Sequence, residues 1–275
     1  MNLEFPSMVD YGLEPAAEVL ACAFEDYFVR IPSTVGVLLN MARADSVDLT
    51  LSCVFVRDGA AVGGALIARR GWTSRLAGMA IVPEARRTGV GRAAVLHLLG
   101  EAKARGDRMM VLEVIEQNSA AVELYRACGF QTIRRLIGFA GPPPSDAVVS
   151  PGLMQVDLRE VAVAVTRYGL PDLPWQLSGE TLAQLTPPNV AYRLDGAWIA
   201  LSDPSQPVVT IRGLIAEPAQ GAGREAALLR AVMAKHPGRD EWRLSAVWPK
   251  ELGSVIAPAG LPRSPLTQWQ MQREV

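Results

Sequence analysis

Two histidines and three cysteines in 275 residues leave little for metal or thiol chemistry to use. Cys22, Cys53 and Cys128 are far apart and odd in number, which fits neither a disulfide framework nor a thiolate metal site, so they read as small buried hydrophobes. With only His97 and His236, a zinc centre or a His-based triad is a poor fit, and no metal is expected. An excess of one charge is also missing: 27 basic against 28 acidic residues give a net charge of −1, without the global basic field that nucleic acid favours. No stretch approaches the roughly 18 to 20 apolar residues of a membrane-spanning helix, and the opening MNLEFPSMVDYG lacks a basic region followed by an apolar run. A cytoplasmic protein with no nucleic-acid or membrane partner is expected. The 24 glycines and 20 prolines follow no repeat, against a fibrous or low-complexity chain.

What is present reads as alternating helix and strand. Residues 16–28 place Val19, Leu20, Ala23, Phe24 and Tyr27 at helical spacing, and residues 35–44 suggest a second helix. Two strands, LTLSCVFV and AAVGGALIARR, flank an Asp58-Gly59 turn, and RLAGMAIV is a third strand. Residues 84–91 are rich in glycine and basic residues; Val95, Leu96, Leu99 and Ala102 then form a helical stripe closed by Gly106. The strand MMVLEVIE follows, then a short helix capped at Asn118 or Ser119 and stopped by Gly129, then a strand from Phe130. LMQVDL suggests a returning strand that closes a first domain of residues 1–158.

Residues 159–275 repeat that domain in degraded form. Arg57-Asp58-Gly59 matches Leu194-Asp195-Gly196, AGMAIVPEARRTGVGRAAVLHLL matches RGLIAEPAQGAGREAALLRAV, and ACGF matches PAGL at 258–261. Two copies of one α+β unit are implied.

The sharpest local signal is a strand feeding a glycine loop that opens a helix, Ile81-Val82-Pro83-Glu84-Ala85-Arg86-Arg87-Thr88-Gly89-Val90-Gly91-Arg92. Glycines let backbone amides approach an anion, and the helix N-terminus adds roughly half a positive charge. Between Arg69 and Arg108 nine basic residues face three acidic ones, which suits a polyphosphate or pyrophosphate. A Walker loop is set aside because Gly91 is followed by Arg92-Ala93 rather than Lys-Ser/Thr. The dinucleotide fingerprint is met by Gly89-Val90-Gly91-Arg92-Ala93-Ala94 with Glu113 as the ribose acid, but Gly89 lies six positions beyond Pro83 instead of directly after the strand.

Arg86-Arg87-Thr88-Gly89-Val90-Gly91 resembles the acyl-CoA loop of the GNAT acetyltransferase superfamily. Leu112-Glu113-Val114, Asn118, Ala121, Leu124-Tyr125 and Gly129-Phe130 resemble its second motif, in order, so the resemblance covers residues of roughly 50 to 140. It implies an α+β fold of two GNAT-like domains in three α/β layers, each with a central mixed, mostly antiparallel sheet flanked by helices; the second domain is degenerate. It also implies an N-acetyltransferase that moves acetyl from acetyl-CoA to a primary amine by direct attack. Met79, Ala80, Ile81 and Val82 would lie where the strand splays, Arg86, Arg87, Thr88, Gly89, Val90, Gly91 and Arg92 would hold phosphate, and Asn118, Ala121 and Tyr125 would line the pantetheine arm. A phenol can protonate the departing thiolate, which makes Tyr125 the expected acid, and a carboxylate is the natural base for an alkyl ammonium, which points to Glu113.

Each residue also has a plainer reading: Tyr125 a core aromatic, Glu113 a buried charge with a structural partner, Asn118 a helix cap, the arginines a solvated face. His97 and Cys128 read as packing residues. In the second copy, alignment through Gly91 and Gly223 shortens the loop by three residues, and alignment through Gly129 and Gly260 puts Ile256 opposite Tyr125 and Pro249 opposite Asn118. That copy is expected not to bind acetyl-CoA. Trp175, Trp198, Trp242, Trp248 and Trp269, all in this half, read as core. The expected acceptor is a small-molecule amine, gripped by residues 10–45 and 138–152, with a protein N-terminus as the alternative. A homodimer fits the doubled architecture, and a noncatalytic acyl-CoA sensor or scaffold is the competing function.

Overall fold

The computed structural model describes residues 2–29, 32–218 and 223–275. Its first elements are β1 (Leu3–Glu4), α1 (Met8–Tyr11), α2 (Leu13–Ala23), α3 (Val35–Asp45), β2 (Val47–Arg57), β3 (Ala60–Arg70), β4 (Thr73–Ile81), α4 (Val90–Ala104), β5 (Met109–Ile115), α5 (Ser119–Ala127) and β6 (Gln131–Gly141). They continue as β7 (Met154–Val156), α6 (Leu158–Tyr168), α7 (Gly179–Leu182), β8 (Val190–Leu194), β9 (Ala197–Leu201), β10 (Val208–Ala216), α8 (Arg224–Lys235), β11 (Glu241–Pro249), α9 (Gly253–Ile256) and β12 (Gln268–Glu274). Among the described residues no helix is long and apolar enough to cross a membrane.

The chain forms two compact units that interleave along the sequence. The first comprises Met1–Val114, Asn118–Ile133 and Gln270–Val275; the second comprises Ile115–Gln117 and Arg134–Trp269. The sequence suggested one cut at 158/159, with LMQVDL as the last strand of the first domain. Met154–Val156 instead pairs with β8 in the second unit, and the edge beside β5 in the first is taken by the C-terminal strand. Its Met271 is fully buried, and Val275 donates its amide to the Arg108 carbonyl.

In the first unit the strand order is β1-β2-β3-β4-β5-β12, antiparallel from β1 to β4 and parallel from β4 to β5. The β2–β3 hairpin turns at Asp58 and Gly59 with both φ angles positive, the geometry that matches strand twist in a two-residue turn. On α4 the buried stripe is Val90, Ala94, Val95, Leu98, Leu99 and Ala102, so Leu98 takes the place expected of Leu96, which is exposed. Helix α2 ends at Ala23 rather than continuing to Phe28, because Phe24 leaves helical geometry and the chain curls through bonds from Glu25 to Cys22 and from Tyr27 to Phe24. Cys53 and Cys128 are buried as expected, but Cys22 is exposed on α2. His97 packs flat on Phe5 with ring centroids 4.0 Å apart.

The second unit has the order β6-β11-β10-β9-β8-β7, again antiparallel apart from a parallel β10–β11 pair. Asp195 and Gly196 repeat the positive-φ hairpin turn, and Gly223 and Gly260 repeat the left-handed conformations of Gly89 and Gly129. Strand β9 is buried on both faces. Trp198 and Ala200 pack with Val161, Val165 and Leu182 of α6 and α7, while Ala197, Ile199 and Leu201 pack with Leu228, Leu229 and Val232 of α8. This is a three-layer α/β arrangement. Trp175, Trp198, Trp242 and Trp248 are buried, which agrees with their reading as core.

Asp107 holds the first sheet to α4. Its carboxylate is fully buried and accepts hydrogen bonds from Ser74, from Arg69 at 2.6 Å and from Arg105 at 3.1 Å. Burial raises the pKa of this acid, but the bonds from Ser74, Arg69 and Arg105 outweigh it and hold the group below its ordinary value. Because the folded pKa is depressed, the stabilisation is complete above about pH 4 and is lost as pH falls through the folded value. Asp107→Asn should cost about 3 kcal/mol in urea unfolding at pH 7, with the deficit shrinking at acid pH. A fragment ending at residue 158 would leave β5 with an uncovered edge. It should therefore show the broad, poorly cooperative thermal transition of an incomplete core, in contrast to the full chain.

Candidate active site

The parallel pairing of β4 with β5 runs from Thr73↔Met109 to Leu76↔Leu112 and ends there, although β4 continues to Ile81 and β5 to Ile115. A bulge opens at the same place, since Leu66 is opposite Gly78 and Ile67 opposite Leu76, which leaves Ala77 as the extra residue. Beyond the bulge β4 stays paired to β3 on one side only. A cavity of about 560 Å³ lies there, and Met79, Ala80 and Ile81 line it. Val82 is not among the lining residues; its amide is bonded to Val62 of β3.

The glycine loop closes another side. After a single 3₁₀ turn at Pro83–Ala85, Arg87 and Gly89 both adopt positive φ, and Gly89 is the N-cap of α4. A Cβ on Gly91 would lie 3.1 Å from Ile81 and 3.2 Å from Leu124, so glycine lets the helix start pack close to β4 and α5. Arg86, Arg87, Gly89, Gly91 and Arg92 line the cavity. Thr88 and Val90 serve the loop from within: Thr88 donates to the Ala85 carbonyl at 2.7 Å and accepts from Arg57 at 2.9 Å, while Val90 is fully buried. The first turn of a fifteen-residue helix with the Arg87 and Arg92 guanidinium groups nearby is receptive to a polyanion.

Helix α5 forms the facing wall with Asn118, Ala121, Leu124 and Tyr125. Asn118 caps the helix by accepting from the Ala121 amide at 3.2 Å and also faces the cavity, so it is both a cap and a lining residue. Tyr125 is 7% exposed and sits edge-on to Phe130. Burial, followed by the neighbouring Tyr27 and Cys128, pushes its phenol far above the usual value and keeps it protonated. Burial raises Tyr27 too, partly offset by the Asn118 side chain. Phe24, Asp26, Tyr27 and Phe28 complete the lining, with Phe24–Tyr27 and Tyr27–Phe28 in edge contact at 5.2 and 5.7 Å. The residues after α2 carry no motif. Their place in the site comes from the curl of the chain there.

Glu113 does not line this cavity. One carboxylate oxygen accepts from Arg75 Nη2 at 2.7 Å and Nε at 2.9 Å, and both side chains are buried, at 4% and 6% exposure. Arg75 lies opposite Val111 across the parallel pair, so the ion pair is a cross-strand diagonal at the last paired residues. The sequence left Glu113 with either a structural partner or a function, and the partner is Arg75. Among the described residues no group of three or more His, Cys, Asp or Glu gathers as a metal site would need.

In the second unit β10 has a bulge between Ile211 and Gly213, and its pairing with β11 stops at Thr210↔Arg243. Gly223 caps α8 with the same left-handed geometry as Gly89, not Gly91. By that equivalence the segment from Pro218 to Gly223 spans five steps against six from Pro83 to Gly89, so the expected three-residue shortening reduces to about one. The expected loop itself, residues 219–222, lies outside the described residues. Arg224, the first residue of α8, bends across to the Asp195 and Gly196 carbonyls and also bonds that of Glu217. Ile256, opposite Tyr125, is buried in the core, and Pro249 replaces Asn118.

A one-sided strand end, a glycine-capped helix start and a buried phenol surround one cavity in the first unit, an α/β domain. Residues 18–130 match the sequence model of the acetyltransferase (GNAT) family and are a domain of that family. Over 59 residues the chain is 44% identical to the [ribosomal protein bS18]-alanine N-acetyltransferase of Escherichia coli K12, a match that spans 21% of this chain and 40% of that enzyme. Across 99% of its length the chain shares the fold of a GCN5-related N-acetyltransferase from Sphaerobacter thermophilus, with a TM-score of 0.72, 17% identity and 95% of that chain covered. It also shares the fold of a tandem GNAT protein from the clavulanic acid biosynthesis pathway, with a TM-score of 0.66, 17% identity and coverage of 99% of this chain and 98% of that one.

The buried ion pair makes a measurable demand on stability. Glu113→Gln should lower unfolding free energy by about 3 kcal/mol, because a buried guanidinium loses its counter-charge. The apolar double variant Arg75→Met/Glu113→Leu should recover most of it. Urea unfolding of the three proteins at pH 7 checks this, and an unaffected single variant would contradict the assignment.

Proposed function

We propose that the first unit is an acetyl-CoA-dependent N-acetyltransferase acting on a primary amine by direct transfer, without a covalent enzyme intermediate. The observation that carries this reading is a single cavity bounded by the glycine loop, the one-sided end of β4 and Tyr125. Acetyl-CoA supplies a thioester acyl group whose transfer to an amine passes through a tetrahedral oxyanion and releases a thiolate. The fit rests on the open, positive-φ Gly89, where a Cβ would meet nothing within 4 Å, and on the arginines beside it. In this proposal the loop amides with Arg87 and Arg92 hold the pyrophosphate. Met79, Ala80, Ile81, Asn118 and Ala121 flank the pantetheine arm, and β4 amides freed from β5 face the developing oxyanion. Tyr125, which lines the cavity from α5, donates to sulfur. Glu113, held by Arg75 outside the lining, serves proton removal only through intervening water. The second unit, with Ile256 and Pro249 at the corresponding places, carries the fold without the reaction. The acceptor proposed is a small amine. An N-terminal amine is the alternative, suggested by the bS18-alanine N-acetyltransferase to which the chain is similar.

Calorimetric titration with acetyl-CoA should give one site per chain, abolished by Gly89→Asp, which adds a negative charge and forces a side chain onto positive φ. Tyr125→Phe should bind acetyl-CoA normally yet lose about 10²- to 10⁴-fold in kcat, read as thiol release against a panel of small amines and an alanine-terminated peptide. Binding without turnover against every amine would favour the noncatalytic sensor, and two sites per chain would overturn the silent second unit.

A further inference from the structure

Arg86 opens the loop motif, where a phosphate contact is the sequence expectation, yet its guanidinium bonds inward. Nε donates to the Ile81 carbonyl at 2.9 Å and Nη2 to the Ala23 carbonyl at 3.2 Å. Ala23 is the last residue of α2, so its carbonyl has no acceptor role within the helix and lies at the negative end of the helix dipole. The backbone bonds of the following curl use Leu20, Cys22 and Phe24 carbonyls. A cation at Ala23 therefore meets an otherwise exposed need of the helix end. It also joins three walls of the cavity: the end of β4, the glycine loop and the end of α2.

We infer that Arg86 is a positioning residue that locks the end of α2 to the glycine loop, so that anion binding at the loop and ordering of the aromatic wall at residues 24–28 are coupled. The coupling follows from geometry. Arg86 lies between the Pro83–Ala85 turn and the positive-φ Arg87, within the loop that an anion would order. A displacement of the loop by half an ångström carries the 3.2 Å bond to Ala23 beyond hydrogen-bonding range. On the far side, Phe24, Tyr27 and Phe28 touch edge to edge and so move together, and Tyr27 lines the same cavity as Asn118 at the start of α5. Fixing the loop thus fixes the wall, and by linkage a molecule that orders the wall tightens anion binding at the loop. The nature of the anion rests on the acetyl-CoA reading above; the clamp itself does not.

Hydrogen–deuterium exchange on the full chain, with acetyl-CoA and inorganic pyrophosphate as probes, tests both parts. Without ligand, Arg86→Gln should speed exchange of amides 20–28 by about fivefold, the effect of one lost hydrogen bond, and leave α4 unchanged. In the wild type either probe should slow exchange at 20–28. In Arg86→Gln that slowing should vanish while acetyl-CoA affinity by calorimetry falls less than about threefold, and Arg86→Lys should restore it in part. Unaltered exchange at 20–28 in ligand-free Arg86→Gln would overturn the clamp. An acetyl-CoA affinity loss of about thirtyfold with the slowing retained would make Arg86 a phosphate ligand instead. A wild type that binds neither probe while the variant still loosens 20–28 would sink the coupling and the acetyl-CoA reading together, and leave Arg86 a helix cap.

Discussion

Two parallel strands that stop pairing halfway shape the cavity of the first unit. β4 and β5 are bonded from Thr73↔Met109 to Leu76↔Leu112, and the extra residue Ala77 turns β4 away beyond that point. The gap exposes one edge of β4, gives the start of α4 a cavity to face and leaves room for Tyr125 to approach from α5. A sheet paired to its ends would have filled this space with backbone bonds.

Such a fork needs a firm closed end, and the buried charges supply it. Asp107 gathers Ser74 of β4, Arg69 of β3 and Arg105 from the end of α4 around one carboxylate at the base of the pair. Arg75 and Glu113 bridge the same strands at the point of divergence, Glu113 being the first residue beyond the last pairing. Buried pairs of this kind add little net stability over apolar packing, but breaking one is costly. The second unit keeps the fork, with its bulge after Ile211, but places an isoleucine and a proline where the first has its phenol and amide. There Ile256 joins the core that α8 builds on β9, so the position serves packing.

Much of this was legible in the amino-acid order. The Asp-Gly hairpins, the glycine-capped α4, Asn118 as a cap and Gly129 as a helix stop are local, and each follows from a few residues whose backbone preferences agree. Errors fell where distant contacts decide. Leu96 and Leu98 are both apolar and only packing separates them; Cys22 lies on a helix face turned to solvent; Gly223 answers to Gly89 and not to Gly91 because conformation, not spacing, marks the cap.

The sequence by itself determined most elements of the first half, the duplication and the glycine loop that opens α4, because short-range periodicity and turn chemistry are written in neighbouring residues. Tertiary structure alone decided that β12 completes the first unit, that Glu113 belongs to Arg75 rather than to the cavity, that Arg86 reaches the end of α2, and that Phe24, Asp26, Tyr27 and Phe28 wall the site. These depend on groups brought together across 38, 63 or more positions of chain. A long-range hydrogen bond leaves no period in the sequence from which it could be read.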